Sequence, residues 1–152
     1  MQRKLIGMLV GVAVALGASY PVFADATPED AKDYRSAVMT SLRGHIGAAS
    51  MIARGLIENN GQLLGHAEGL SNGAAELKNL FPEGSAVNES EALPAIWAEP
   101  EKFAAAIDAM VAATGEFEAA AAGGDPAAIG AAFRQVGMSC RGCHDDFRKS
   151  DD

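Results

Sequence analysis

The chain is predicted to be all-α, an antiparallel four-helix bundle, on three observations. Apolar residues recur at three- and four-residue steps in four stretches, cap or breaker residues bound each stretch, and no useful length of strand-like alternation occurs. Its 152 residues, 49% hydrophobic and 21% charged, fit one globular domain and exclude a disordered chain.

The first helix is announced by Thr27-Pro28-Glu29-Asp30: a hydroxyl to cap free amides, proline at the first helical position, and two carboxylates at the positive helix end. It is expected to run to about Arg54 and stop at Gly55, with Tyr34, Val38, Leu42, Ile46, Ala49 and Ile52 as its buried stripe. A second helix lies between Asn59-Asn60-Gly61 and Phe81-Pro82, with Leu63, Ala67, Leu70, Ala74, Leu77 and Leu80 inward and three glycines inside it. Residues 82 to 98, rich in Pro, Gly, Ser, Asn and Glu, read as a crossover loop. The third helix opens at Glu99-Pro100-Glu101, buries Phe103, Ile107, Met110, Ala113 and Phe117, and ends at Gly123-Gly124. The fourth opens at Asp125-Pro126 and carries Ile129, Phe133, Val136, Cys140, Cys143 and Phe147. Short connections at both ends and a long one in the middle give the antiparallel bundle. Alanine and 17 glycines keep its interior light, as in either a tight small-residue bundle or one that leaves room for a large flat cofactor.

Ahead of this domain, residues 1 to 24 carry Arg3-Lys4, an apolar stretch from Leu5 to Ala18, and Val22-Phe23-Ala24, the pattern of a secretory signal cleaved after Ala24. An uncleaved anchor is the alternative, but the apolar run is short for a spanning helix. Cleavage would leave the domain 25–152 with 10 basic against 20 acidic residues, a net of −10, expected in the periplasm. So acidic a surface excludes a phosphate-tracking face, and nucleic acid is not an expected partner.

The chemistry concentrates in Cys140-Arg141-Gly142-Cys143-His144, the C-x-x-C-H signature of covalent haem c attachment. At about 100° per residue the two thiols and the imidazole fall within about a 100° arc of one helix face, so all three meet one macrocycle. Three other readings fit less well. A thioredoxin-like dithiol needs a βαβ context, zinc needs four ligands while His45 and His66 stand in no ligand-spaced cluster, and a disulfide three residues apart in a helix closes a poor loop.

With this motif in the closing helix, the run Val136-Gly137-Met138-Ser139-Cys140-Arg141-Gly142-Cys143-His144-Asp145-Asp146-Phe147-Arg148 resembles the class II cytochromes c, the cytochrome c′ family. Tyr34-Arg35, Phe81-Pro82 and Pro94-Ala95-Ile96-Trp97 follow the same order along the chain. The resemblance implies one covalently bound haem c per chain, with His144 as the iron's proximal ligand. It also implies that the residue four after Arg35, Met39, stands on the distal side. Cytochromes c′ proper place a bulky non-ligating side chain there and bind gases such as NO, whereas a low-spin branch places methionine. On that resemblance the expectation is the low-spin branch, His144 proximal and Met39 distal, although core filling is the ordinary role of a methionine. Met138, about 9 Å along the helix axis from His144, cannot reach the opposite iron face, and Met51 and Met110 do not match the distal position. The resemblance further places Arg35 by a haem propionate and Arg148 beside the proximal face, where each is otherwise a solvated helix charge. Trp97 is assigned packing at the mouth of the bundle, Tyr34 remains core, haem edge or dimer surface, and His45 is read as a partly exposed histidine.

The expected function is that of a non-enzymatic one-electron carrier between periplasmic or membrane-attached redox proteins, with a homodimer through the first two helices as a family possibility. The alternative is a five-coordinate, high-spin cytochrome c′ that binds NO or other small gases, and a cofactor-free helical interaction protein is the third reading.

Overall fold

A computed structural model describes residues 26–150. The expected signal segment, residues 1–24, lies outside the described residues. Five helices follow one another: α1 (Pro28–Ala53), α2 (Gln62–Glu76), α3 (Ala95–Ala98), α4 (Pro100–Gly123) and α5 (Pro126–Phe147). The four long ones make the bundle, and no strand occurs among the described residues.

Each boundary has a local cause. Thr27 and Asp30 form a reciprocal capping box, with the Asp30 amide donating to Thr27 Oγ1 at 3.1 Å and the Thr27 amide to Asp30 Oδ2 at 2.9 Å. Gly55, at φ +72°, turns the chain out of α1. The α4–α5 turn needs only Gly124, at φ +74°, and Asp125, whose Oδ1 accepts the Ala127 amide. The crossover is not wholly irregular, because α3 forms inside it. That helix stops at Glu99, whose φ and ψ of −124° and 58° leave the helical region, because the ring of Pro100 disfavours a helical residue before it.

α1 packs on α2, α2 on α4 and α4 on α5, while the fourth side of the bundle, between α1 and α5, is the sparsest. The expected stripes of α2 and α4 are buried throughout. On α1, Leu42, Ala49 and Ile52 are buried, Val38, Met39 and Ile46 are half-buried against the core, and Tyr34 is 57% exposed. Tyr34 is therefore no core residue: its hydroxyl donates to Glu76 Oε2 across the α1–α2 edge. At the end of the bundle beneath the crossover, Phe81, Phe103 and Phe147 stack edge to face with ring centroids 4.9 and 5.0 Å apart. Above them the crossover is tied to the residues after α5, through Leu93 N to Phe147 O at 2.9 Å and Lys149 N to Glu91 O at 2.8 Å. Among the described residues no helix is long and apolar enough to cross a membrane.

The glycines that weaken α2 as an isolated helix have a packing reason. A Cβ on Gly73 would stand 2.6 Å from Leu42 Cδ2, and one on Gly69 2.5 Å from the His45 ring, so α1 lies closer than a side chain allows. Gly65 faces open space. Gly65→Ala is therefore expected to stabilise the fold by about 0.5–1 kcal/mol from helix propensity alone. Gly73→Ala should cost about 1–2 kcal/mol, because forcing Leu42 aside outweighs the same propensity gain. Urea unfolding of the two variants checks the opposite signs.

Candidate functional site

The closing turns of α5 present Cys140, Cys143 and His144. Both thiols are free and half-buried against the core, and His144 is exposed. Cys140 Sγ lies 3.6 Å from the sulfur of buried Met110, which also accepts a hydrogen bond from Ser139 Oγ at 3.3 Å. Burial pushes the Cys140 thiol up, and burial, with Cys140 and then Asp146 nearby, pushes Cys143 up to about 11. Dithiol redox centres need a lowered thiol pKa, so this environment is the reverse of theirs. No group of three metal-ligating side chains exists among the described residues, which argues equally against structural zinc.

The surroundings fit a covalently bound haem. Ala106, Ala109 and Ala113 of α4 and Gln135, Met138, Ser139, Gly142 and Cys143 of α5 line an open groove of about 360 Å³, with a half-buried thiol in its wall. On α1, His45 faces α2, and about 120° of helical rotation puts Met39 on the flank turned from α2, where α5 closes the ring. Ile46 lies on that same flank, and both are half-buried on the same core as the two cysteines. The donor set, two thiols one turn apart with an adjoining exposed imidazole, suits two thioether bonds and one axial ligand.

Both arginines have protein partners at the crossover. Arg35 is buried, 6% exposed, and uses both terminal nitrogens on neutral oxygens: Nη1 donates to Leu80 O at 2.9 Å and Ser85 Oγ at 3.0 Å, Nη2 to Ser85 O at 2.9 Å and Ser90 Oγ at 3.1 Å. Its guanidinium also lies 4.9 Å from the Phe81 ring centroid. Arg148 donates from Nε to Glu91 Oε2 at 2.7 Å, and its amide caps α5 at His144 O. The serines that receive Arg35 were not legible in sequence, because nothing in a Ser-containing loop says which helix it will meet. Trp97 does pack by the crossover, giving its ring N–H to Phe81 O at 3.1 Å. The structure also brings together His45 and His66, with Nδ1 atoms 3.2 Å apart. Their separation of 21 residues on two helices concealed the pair from any spacing rule.

Comparison with known proteins identifies a family model described as Cytochrome C', matching residues 30–148. The chain is 32% identical to cytochrome c' of Pararhodospirillum photometricum over 82% of this chain and all of that protein. It is 36% identical to cytochrome c-554 of Cereibacter sphaeroides over 77% of this chain and 79% of that one. Among solved structures, the nitric oxide complex of a point variant of cytochrome c prime from Alcaligenes xylosoxidans superposes with a TM-score of 0.76 at 32% identity, over 82% of this chain and 98% of that one.

These findings overturn one expectation. The family model and relatives such as that of Pararhodospirillum photometricum are cytochromes c', and neighbouring structures from Alcaligenes xylosoxidans hold nitric oxide, which in those proteins requires an iron position open to a diatomic ligand. A low-spin electron carrier saturated by His144 and Met39 is thereby set aside. In the fold Met39 is one of several half-buried apolar side chains on the core, the ordinary packing role of a flexible thioether.

Removing the Arg35 brace tests the architecture of the site. Arg35→Met takes this donor from Leu80 O, Ser85 O, Ser85 Oγ and Ser90 Oγ, of which Ser90 Oγ keeps the Ala92 amide, and is expected to cost about 2–4 kcal/mol. Chemical denaturation reads the loss, and Arg35→Lys, with one point donor, should recover only part of it.

Proposed function

The chain belongs to the cytochrome c′ family, and on that premise we propose that it is a periplasmic monohaem protein, not an enzyme, that binds NO or a similar small gas. The observation that carries this reading is the C-x-x-C-H set on α5, two half-buried thiols one turn apart with an adjoining exposed imidazole, sharing one core with the half-buried, apolar Met39 and Ile46 of α1. Cys140 and Cys143 would hold one haem c per chain and His144 would ligate its iron, and the group would supply a metal able to take a small gas.

The chain's own residues define that position. Met39 acts as a wall rather than a ligand: with Ile46 it excludes water and larger polar ligands while an uncharged diatomic molecule passes. His144 is held at the last turn of α5, where its carbonyl accepts the Arg148 amide at 3.1 Å and Arg148 is itself fixed to Glu91. Arg35 acts as a positioning residue, holding the crossover against which that last turn is hydrogen-bonded. The acidic surface, −10 once residues 1–24 are removed, would steer a periplasmic or membrane-attached redox protein with a basic patch, the partner needed to reduce the iron. A homodimer through α1 and α2 belongs to the same reading.

Visible spectroscopy of the matured protein tests the proposal. The ferrous form should show a broad high-spin Soret band that shifts on addition of CO or NO, and Cys140→Ala with Cys143→Ala should yield only the polypeptide mass. Met39→Ala should leave the spin state unchanged and speed CO association about tenfold, equivalent to about 1.4 kcal/mol of entry barrier. A split low-spin ferrous spectrum that Met39→Ala abolishes would refute the open iron position.

A further inference from the structure

We propose that His45 and His66 form a labile two-histidine site for a borderline divalent cation, Cu²⁺ or Zn²⁺, clasping α1 to α2. The site is separate from the haem residues and independent of the reading of the iron.

The geometry points to it on two independent counts. The Nδ1 atoms stand 3.2 Å apart, with the rings edge to face at 61° and centroids 5.5 Å apart. Two imidazole nitrogens on one ion at about 2.0–2.1 Å are separated by about 2.9 Å at a right angle and about 3.4 Å at the tetrahedral angle, so the observed spacing is already the bite of a single ion. The ring of His45 is also seated in a built notch: at Gly69, a Cβ would come within 2.5 Å of both Cε1 and Nε2. Gly69 lies one helical turn beyond His66, so the residue that admits one ligand adjoins the residue that supplies the other.

Both rings are half-buried, which limits their motion yet leaves access from solvent. No third His, Cys, Asp or Glu completes the group among the described residues, so the remaining coordination positions go to water or to a small solute. A site with two protein donors exchanges its ion readily, in contrast to a closed four-ligand structural site. Imidazole nitrogen selects Cu²⁺ and Zn²⁺ over Mg²⁺ and Ca²⁺, and the ordinary affinity order puts Cu²⁺ ahead of Zn²⁺. The two ligands come from different helices, so an ion bound to both favours the docked over the separated arrangement of α1 and α2.

The chain has three histidines, and in the haem-loaded protein His144 is engaged by the iron, so copper coupled to imidazole reports on His45 and His66. One equivalent of Cu²⁺ added to the haem-loaded protein should give a copper resonance split by two imidazole nitrogens. Zn²⁺ should raise the melting temperature where Mg²⁺ does not. His45→Gln and His66→Gln should each weaken Cu²⁺ binding at least about tenfold, and the double variant should lose both the splitting and the Zn²⁺ effect. Gly69→Ala keeps both ligands but displaces the His45 ring, and it too should weaken binding about tenfold, an outcome that simple surface histidines would not give. The proposal fails if native protein shows no imidazole nitrogen coupling, or if the double variant retains the Zn²⁺ stabilisation.

Discussion

A guanidinium buried among neutral groups must have its hydrogen-bonding capacity met inside the protein, and that requirement at Arg35 organises the cofactor end of the bundle. Its terminal nitrogens reach Leu80 at the end of the α2 segment and Ser85 and Ser90 in the crossover. The same stretch of crossover then pairs with the residues after α5: Glu91 receives Lys149, Ala92 lies opposite Arg148, and Leu93 donates to Phe147. One charge on the first helix thus fixes, through a loop with no periodic pattern of its own, the height and direction of the turn that carries His144. The aromatic contacts of Phe81, Phe103 and Phe147 fill the space beneath and make the arrangement resist sliding.

The remaining helix contacts rely on smallness. α2 meets α1 over Gly69 and Gly73, where backbone approaches side chain more closely than a methyl group permits, while alanines of α4 line the open groove beside α5. The glycines are costly choices for an isolated helix, and they are compensated by tertiary contact rather than by propensity. Of the four sides of the bundle, that between α1 and α5 has the sparsest packing, and an open groove lies between α4 and α5.

Much of this was legible in the amino acids. Helix limits followed from Thr27, Gly55, Gly124 and Asp125, each acting through chemistry local to a few residues, and the haem residues from a spacing that few other functions need. The crossover was legible only as a break in pattern. The α3 helix and the serines serving Arg35 depend on what the loop meets after folding, and Tyr34 fits the α1 stripe by spacing while its contact with Glu76 holds it at the edge. Met39 shows a different limit. A methionine fills a core and binds iron with the same atoms, so its position alone does not distinguish the two, and the ligand reading gave way only on similarity to cytochromes c'. The His45–His66 contact was illegible for the opposite reason: both residue types were recognised, but their meeting is a consequence of helix register.

On the proposed reading, an open iron position needs apolar surroundings that still yield. Water competes for a vacant coordination position unless apolar surface makes its entry unfavourable, and a rigidly packed wall would exclude the intended ligand as well. The flexible thioether of Met39 and the branched aliphatic of Ile46, on one helix flank and half-buried, would meet both demands. The last turn of α5, which carries His144, is held twice, through its cap at Arg148 and through the crossover braced on Arg35. On the proposed reading, discrimination between a gas and water would arise from a fixed imidazole set against a yielding hydrocarbon wall.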